Sequence, residues 1–352
     1  LRGVKNKQEA DRFFYPSLSD LHDPFLMKDM NIAVERIHQA ILKKEKILIY
    51  GDYDVDGITA VSMLYTFFRN FYDNISYYVP DRNKGCGISF EGIDFAKEDT
   101  CKLIIALDCG VKDHEKVSYA RQNGVDIIIC DHHLPDPTLP EAIAVLDPKR
   151  SDCNYPFKEL SGCGVGFKLI QAYNLKYQPE NVNLFDLLDF VVVSIAADTV
   201  SVTGENRILA HHGMKLINEN TRVGFKAILD IVNSRKKLEL MDLVFTISPR
   251  INAAGRILHA SYAVELLIER DKDAAVGKAQ LIHDNNSDRQ VIDKDITESA
   301  LDIIEDENFE DKKAIVIFQP DWHQGVIAIV ASRIVEKFHK PTLILTESNG
   351  LV

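Results

Sequence analysis

Asp52, Asp54 and Asp56 stand at alternate positions directly after the apolar run Ile47 to Tyr50, with Gly51 and Gly57 on either side. One aspartate there would read as a turn that ends a strand. Three like charges this close repel one another unless a cation lies among them, and hard oxygen ligands suit Mg²⁺ or Mn²⁺. An EF-hand is excluded, because the twelfth position counted from Asp52 is Met63 and not Glu. Asp108 follows a second apolar run, Leu103 to Leu107, and Asp131-His132-His133 follows a third, Val125 to Cys130. Imidazole joined to carboxylates favours a Mn²⁺-type site over a purely oxygen-lined Mg²⁺ site, and Asp131 can orient an imidazole from behind the ligands. Asp147, after Ala142 to Leu146, and Asp198, at the end of the apolar stretch Leu184 to Ala197, both qualify as a further carboxylate. A carboxylate leaving so apolar a helix needs a partner, which a metal or a helix cap would equally supply.

Other residues suit phosphate. Pro249, Asn252 and Gly255 break the helical rhythm between Ser248 and Arg256, so this stretch is expected to be a tight loop carrying Arg250, Asn252 and Arg256. Guanidinium binds phosphate oxygens bidentately, although the same arginines could simply pair with neighbouring acids. Arg82 stands at the end of the strand-like run Ile75 to Val79, ahead of Gly85-Cys86-Gly87. In Trp322-His323-Gln324-Gly325 the glycine precedes a helical pattern and could admit a phosphate at the helix N-terminus, though a plain strand-to-helix turn is the more frequent meaning.

The elements that must position these residues follow from periodicity. Apolar strand-like runs alternate with helical patterns up to Leu146, which predicts an α/β fold with a mainly parallel, helix-covered sheet. In such sheets ligands sit outside the carboxyl ends of the strands, where Asp52, Asp108 and Asp131 fall. Residues 1–45 read as a helical arm, with Phe25, Leu26, Met30, Ile32, Val34, Ile37 and Ile41 at roughly helical intervals. Residues 162–177 and 184–197 read as apolar helices, and 271–306 as a long charged helix with a stripe of Leu281, Ile292, Ile296 and Ile303. A strand, helix and strand at 313–318, 326–339 and 341–346 then restart the α/β pattern, predicting a second, smaller domain. With 352 residues, 46% hydrophobic and 27% charged, the chain can bury real cores, and its longest apolar run is too short for a bilayer. A cytoplasmic setting is expected, with six reduced cysteines, since none forms a C-x-x-C pair. A net charge of −12 argues against generalised coating of nucleic acid but leaves room for a local basic channel, because bound divalent metals reverse the field of an acidic site.

The runs Tyr50 to Gly57, Ala106 to Gly110, Asp131 to His133, Ala197-Asp198, Pro249 to Arg256 and Trp322 to Ile327 together resemble the RecJ-type single-strand-specific exonucleases of the DHH phosphoesterase superfamily. The first and third are specific to the superfamily; the Pro249 and Trp322 stretches narrow the resemblance to RecJ. It implies a DHH catalytic domain at 46–262, connector helices at 263–308 and the start of a DHHA1-like domain at 309–352, after an N-terminal arm at 1–45. It further implies that Asp54, Asp56, Asp108, His132 and Asp198 ligate two divalent ions, Mn²⁺ or Mg²⁺, with Asp52 and His133 in or just behind that set, and it favours Asp198 over Asp147. The activity implied is metal-dependent hydrolysis of single-stranded DNA from 5′ to 3′, releasing mononucleotides, in repair and recombination. Arg256 and Asn252 would neutralise the scissile phosphate, Arg82 would hold the 5′ end, and Arg250, His323 and Gly325 would contact DNA. Implied partners are single-stranded DNA, a single-strand-binding protein and a helicase, with no membrane. Two features depart from the family pattern. The loop from Arg82 to Ser89 is one residue shorter than usual, and the sequence ends at Val352 before a further 5′-end-binding segment. The chain is therefore expected to be a fragment, with the Asn349-Gly350 turn leading to an unfinished strand.

Two other functions compete. A DHH phosphoesterase for short oligonucleotides or cyclic dinucleotides would share the metals but is usually a compact chain without the long connector. A catalytically dead nucleic-acid scaffold would not need the complete set of acidic and histidine motifs present here.

Overall fold

Five parallel strands present their carboxyl ends along one edge in a computed structural model that describes residues 4–82, 85–180, 182–234, 236–307, 312–348 and 350. The chain enters through α1 (Lys7–Phe14) and α2 (Met30–Leu42), then alternates through β1 (Lys46–Gly51), α3 (Val55–Arg69), β2 (Ile75–Tyr78), α4 (Phe90–Glu98), β3 (Cys101–Leu107), α5 (His114–Gln122), β4 (Asp126–Cys130) and β5 (Ala144–Leu146). The strand order is β2-β1-β3-β4-β5, so the winding reverses between β1 and β3 and opens a crevice beyond their ends. The α/β, helix-covered parallel sheet expected from the sequence is the fold observed.

Alternation assigns each strand residue to a face. Ile47, Ile49, Leu103, Ile105, Leu107, Ile128 and Cys130 point into one core, while Leu48, Tyr50, Ile104, Ala106, Ile127 and Ile129 point into another on the opposite face. The first core is closed by α3, α6 (Gly162–Tyr177) and α7 (Leu188–Ala197), followed by α8 (Gly204–Glu219), α9 (Val223–Ile231), α10 (Leu240–Thr246), α11 (Ser248–Ile257) and α12 (Ser261–Leu267). The long α13 (Lys272–Asp306) serves two cores. Its Ala275, Ala279 and Ile282 belong to the first. Its Ile296, Ala300 and Ile304 pack with β6 (Ile315–Phe318), α14 (Ile327–Phe338) and β7 (Thr342–Leu345) in a third.

Several sequence expectations are corrected. The stretch Ser248 to Arg256, expected as a loop, is helix α11. Pro249 occupies its first turn, where a missing N–H is harmless. Gly255 is required by contact and not by a bend, since a Cβ there would lie 2.9 Å from the Tyr53 carbonyl oxygen. Helix α3 begins at Val55 and not at Ile58, which makes Asp54 its N-cap and puts Asp56 inside the first turn. Helix α4 was not expected; Gly92 interrupts its pattern because a side chain there would meet the Tyr50 ring. On α13 the buried stripe runs through Ile282, leaving Leu281 exposed. Of the expected C-terminal turn, Asn349, Leu351 and Val352 lie outside the described residues, as do Asn83 and Lys84 beside Arg82. No described helix is long and apolar enough to cross a membrane.

Candidate metal and phosphate site

The site is built by strand register. Gly51 pairs with Leu107, Leu107 with Cys130, and Cys130 with Leu146. The next residue on each strand is an aspartate, so Asp52, Asp108, Asp131 and Asp147 form a row along the sheet edge at about 4.8 Å per neighbouring strand. The row is tied at the backbone, with the Asp108 N–H donating to the Cys130 carbonyl (2.8 Å) and the Asp131 N–H to the Leu146 carbonyl (3.0 Å). Asp108 adopts a left-handed φ of 60°, rare for a side-chain-bearing residue and a form of strain that concentrates at functional sites.

Asp56 enters this row from α3. Its Oδ2 accepts the Gly162 N–H at 2.7 Å, and its Oδ1 accepts the Cys163 N–H and the Ser194 hydroxyl, each at 2.7 Å. The carboxylate thus sits on the positive N-terminus of α6, where a negative charge is favoured. Gly162 has no room for a side chain, because a Cβ would lie 2.5 Å from Asp108 Oδ1. Gly57 is equally constrained, by the Asp52 backbone oxygen 2.3 Å from a Cβ.

His132 is the hub. Its Nε2 lies 3.2 Å from Asp108 Oδ1, 3.5 Å from Asp198 Oδ2 and 3.8 Å from Asp56 Oδ2. Asp198 caps the end of α7 and reaches the cluster, whereas Asp147 is fully buried and accepts the Lys149 N–H at 2.7 Å. Asp54 accepts the Gly57 N–H at 3.1 Å and Asp52 the Tyr53 N–H at 2.7 Å. Asp131 has every oxygen occupied: Oδ2 by the Val111 N–H, and Oδ1 by the His132 and His133 N–H groups and, at 2.8 Å, by His133 Nδ1. It orients the second imidazole, as a buried carboxylate behind a ligand does.

Electrostatics show a centre short of positive charge. Burial, then repulsion from Asp54, pushes Asp52 up to about 7. Burial, then repulsion from Asp56 and Asp54, pushes Asp198 up to about 8. Asp56 and Asp108 are raised for the same reasons, burial first, and burial lowers His132. His133 moves the other way, raised by its hydrogen bond to Asp131. Buried Asp108 Oδ1, Asp198 Oδ2 and both ring nitrogens of His132 have no hydrogen-bond partner. Polar atoms buried without partners are costly, and here they converge: Asp56, His132 and Asp198 on the one hand, and Asp108, His132 and His133 on the other, each offer ligand atoms within 4.8 Å of one another. Carboxylate oxygens with imidazole nitrogen fit Mn²⁺ or Mg²⁺.

A cationic cluster gathers at Tyr53, the residue between two of these aspartates. Gly255 seats α11 on Tyr53, between Asp52 and Asp54, and Arg82 lies 4.9 Å over the Tyr53 ring. Burial, then the charges of Arg82 and Arg289, lowers Arg256 to about 10. Its Nη1 donates to the Gly325 carbonyl at 2.8 Å, and the Gly325 N–H donates to His323 Nδ1 at 3.1 Å. The Trp322–Gly325 loop is therefore clamped onto the end of α11. Asn252 lies half-buried one turn before Arg256. Arg250 does not join this cluster's contacts, donating instead to the Thr246 carbonyl and to His283 Nδ1. Sequence reasoning missed Arg289. The available signal was polar Asn285, Asn286 and Asp293 interrupting the buried face of α13.

The DHH family, N-terminal domain, matches residues 46–195. The single-stranded-DNA-specific exonuclease RecJ of Bacillus subtilis is 37% identical over 346 residues, 98% of this chain and 43% of its own length. The Escherichia coli RecJ is 36% identical over 358 residues, 97% of this chain and 61% of its own. A crystal structure of exonuclease RecJ bound to manganese superposes with a TM-score of 0.83 at 29% identity, covering 94% of this chain and 82% of that one. The chain resembles RecJ over nearly its whole length, and its residues 46–195 match the DHH family. RecJ from Thermus thermophilus in complex with Mn²⁺ also matches at a TM-score of 0.83 and 27% identity, covering 98% of this chain and 49% of that one. This RecJ-like chain thus spans 43% and 61% of the two curated relatives.

Proposed function

We propose that this chain hydrolyses phosphodiester bonds of single-stranded DNA from the 5′ end, releasing mononucleotides. The observation that carries the reading is that unpartnered Asp108 Oδ1 and Asp198 Oδ2 lie 3.2 and 3.5 Å from the unpartnered His132 Nε2, next to Tyr53, against which Arg82 and α11 pack. The single-stranded-DNA-specific exonuclease activity for which the RecJ relatives are named, and the metal-bound RecJ structures, support it. Asp54, Asp56, Asp108, His132 and Asp198 would hold two divalent ions, with Asp52 beside them. Such ions, when bound, lower the pKa of an attacking water and offset charge on the phosphate and leaving oxygen.

The chain's own residues do the rest. Asp131 fixes His133 through Nδ1 and raises its proton affinity, leaving Nε2 to exchange a proton with a reacting oxygen. Arg256, preset by Gly325, meets the non-bridging phosphate oxygens with Asn252 beside it, a placement that stabilises charge as it develops. Arg82 holds the 5′ terminus, and Arg250, His323 and Gly325 shape the wall along which the strand lies. The residue domains 46–262, 263–308 and 309–352 then correspond to catalysis, connection and strand binding, after the arm at 1–45. A cytoplasmic setting, with a single-strand-binding protein and a helicase as partners, belongs to the same reading. The test is Mn²⁺-dependent release of mononucleotides from long single strands labelled at either end. Release confined to dinucleotide substrates, or insensitivity to EDTA, would overturn it.

A further inference from the structure

Beside His133 the sheet edge opens into a cleft of about 460 Å³ whose lining combines apolar Leu134, Pro135, Pro137 and Leu139 with Lys149, Arg150, Ser151 and two carboxylates, Asp136 and Asp152. Its two cations differ in what they already bind. Arg150 is committed, donating to the Asp29 carboxylate, the Val145 carbonyl and Asp152. Lys149 is half-buried, its backbone N–H locked onto Asp147, and among the described residues its ammonium has no ion-pair or hydrogen-bond partner. Its charge is nevertheless felt at His132 and Asp198. An ammonium beside a centre that gathers cations is repelled unless an anion lies with it. The same cleft carries Leu134, 70% exposed. Both carboxylates of the lining already have basic neighbours, Asp152 in Arg150 and Asp136 in His114 Nε2 at 3.7 Å, which leaves Lys149 as the cation open to an anion beside apolar surface, a make-up suited to a ligand pocket.

The cleft also has a direction. Arg82 follows β2 and Lys149 follows β5, the two ends of the strand order, separated by roughly 19 Å at about 4.8 Å per neighbour, with the acidic centre between them. We propose that the cleft binds the nucleotide on the 3′ side of the bond being cut, its 3′ phosphate on the Lys149 ammonium and its base against Leu134 and Pro135. The inference rests on the single-strand exonuclease reading and names a subsite within it.

The test measures binding separately from cleavage. Single strands carrying one neutral methylphosphonate at successive positions from the 5′ end are titrated by fluorescence anisotropy against the 352-residue chain and its Lys149→Gln and Leu134→Ala variants, with Ca²⁺ in place of Mn²⁺. Lys149→Gln should weaken binding of the unmodified strand about tenfold, the scale of one charge-assisted contact. One methylphosphonate position should cost the unaltered chain a similar factor and cost Lys149→Gln nothing more. Leu134→Ala should weaken binding about threefold, unless the nucleotide at that position is abasic, consistent with partial loss of a buried apolar contact. In cleavage with Mn²⁺, Lys149→Gln should raise KM and leave kcat nearly unchanged. Unchanged binding by Lys149→Gln, or penalties that multiply at every position, would overturn the subsite. If the binding pattern holds but no strand is cut, the catalytic reading fails and the subsite stands.

Discussion

Asp52→Asn should make the metal-free protein more stable above neutrality. Asp52 is 9% exposed and raised from 3.8 to about 7 by burial and by Asp54. The folded state therefore binds this proton more tightly than the unfolded chain does. Its contribution to stability is fully present below 3.8 and is lost as pH rises through about 7. Three powers of ten in proton affinity, at about 1.4 kcal/mol each, amount to ~4 kcal/mol. Asparagine can still accept the Tyr53 N–H while carrying no charge, so it avoids this cost. Thermal unfolding in EDTA above neutrality should then show the variant melting on the order of 10 °C higher, with little difference in acid below 3.8. Saturating Mn²⁺ should shrink or reverse the gap, because a bound cation removes the repulsion that the substitution relieves. An equal stability difference at every pH, or a less stable variant above neutrality, would refute the account of the acidic centre.

Three other substitutions probe separate parts of the molecule. Asp108→Ala should weaken Mn²⁺ binding at least ~100-fold by calorimetry, since it removes an inward-facing donor and not just a supporting contact; unchanged affinity and stoichiometry would rule out its proposed role as a metal ligand. Arg256→Ala should lower the cleavage rate ~100-fold or more with the fold intact by circular dichroism, and Arg256→Lys should rescue poorly because a point charge cannot reproduce the guanidinium fork. Lys168→Met should cost ~3–5 kcal/mol in denaturant unfolding, because it strands Glu205, which is bonded to Lys168 at 3.0 Å, to the Tyr155 hydroxyl and to the His22 N–H; the double variant with Glu205→Gln should recover part of that loss.

What the sequence determined by itself was local and periodic. Alternating apolar residues from Lys46 to Leu146 dictate parallel buried strands, and an aspartate placed directly after such a strand can only emerge at the sheet edge, so Asp52, Asp108 and Asp131 were legible as neighbours. The long helix over 271–306 was legible from its length and charge. Tertiary structure decided the rest. From local pattern, Asp147 and Asp198 were equivalent; only the packing of α7 against α3 and α6 brings Asp198 Oδ2 within 3.5 Å of His132 while Asp147 folds back onto the Lys149 N–H. Proline and glycine made 248–256 look like a loop, because sequence cannot distinguish a glycine that bends the chain from Gly255, which lets helix α11 touch Tyr53. Arg289 carries no local signal either, since its charge matters only through its nearness to Arg256, set by how α13 crosses α11. Periodicity specifies which face a residue takes, but which distant faces meet is fixed by packing, and a site assembled from strand ends, helix termini and a crossing helix is complete only once that packing exists.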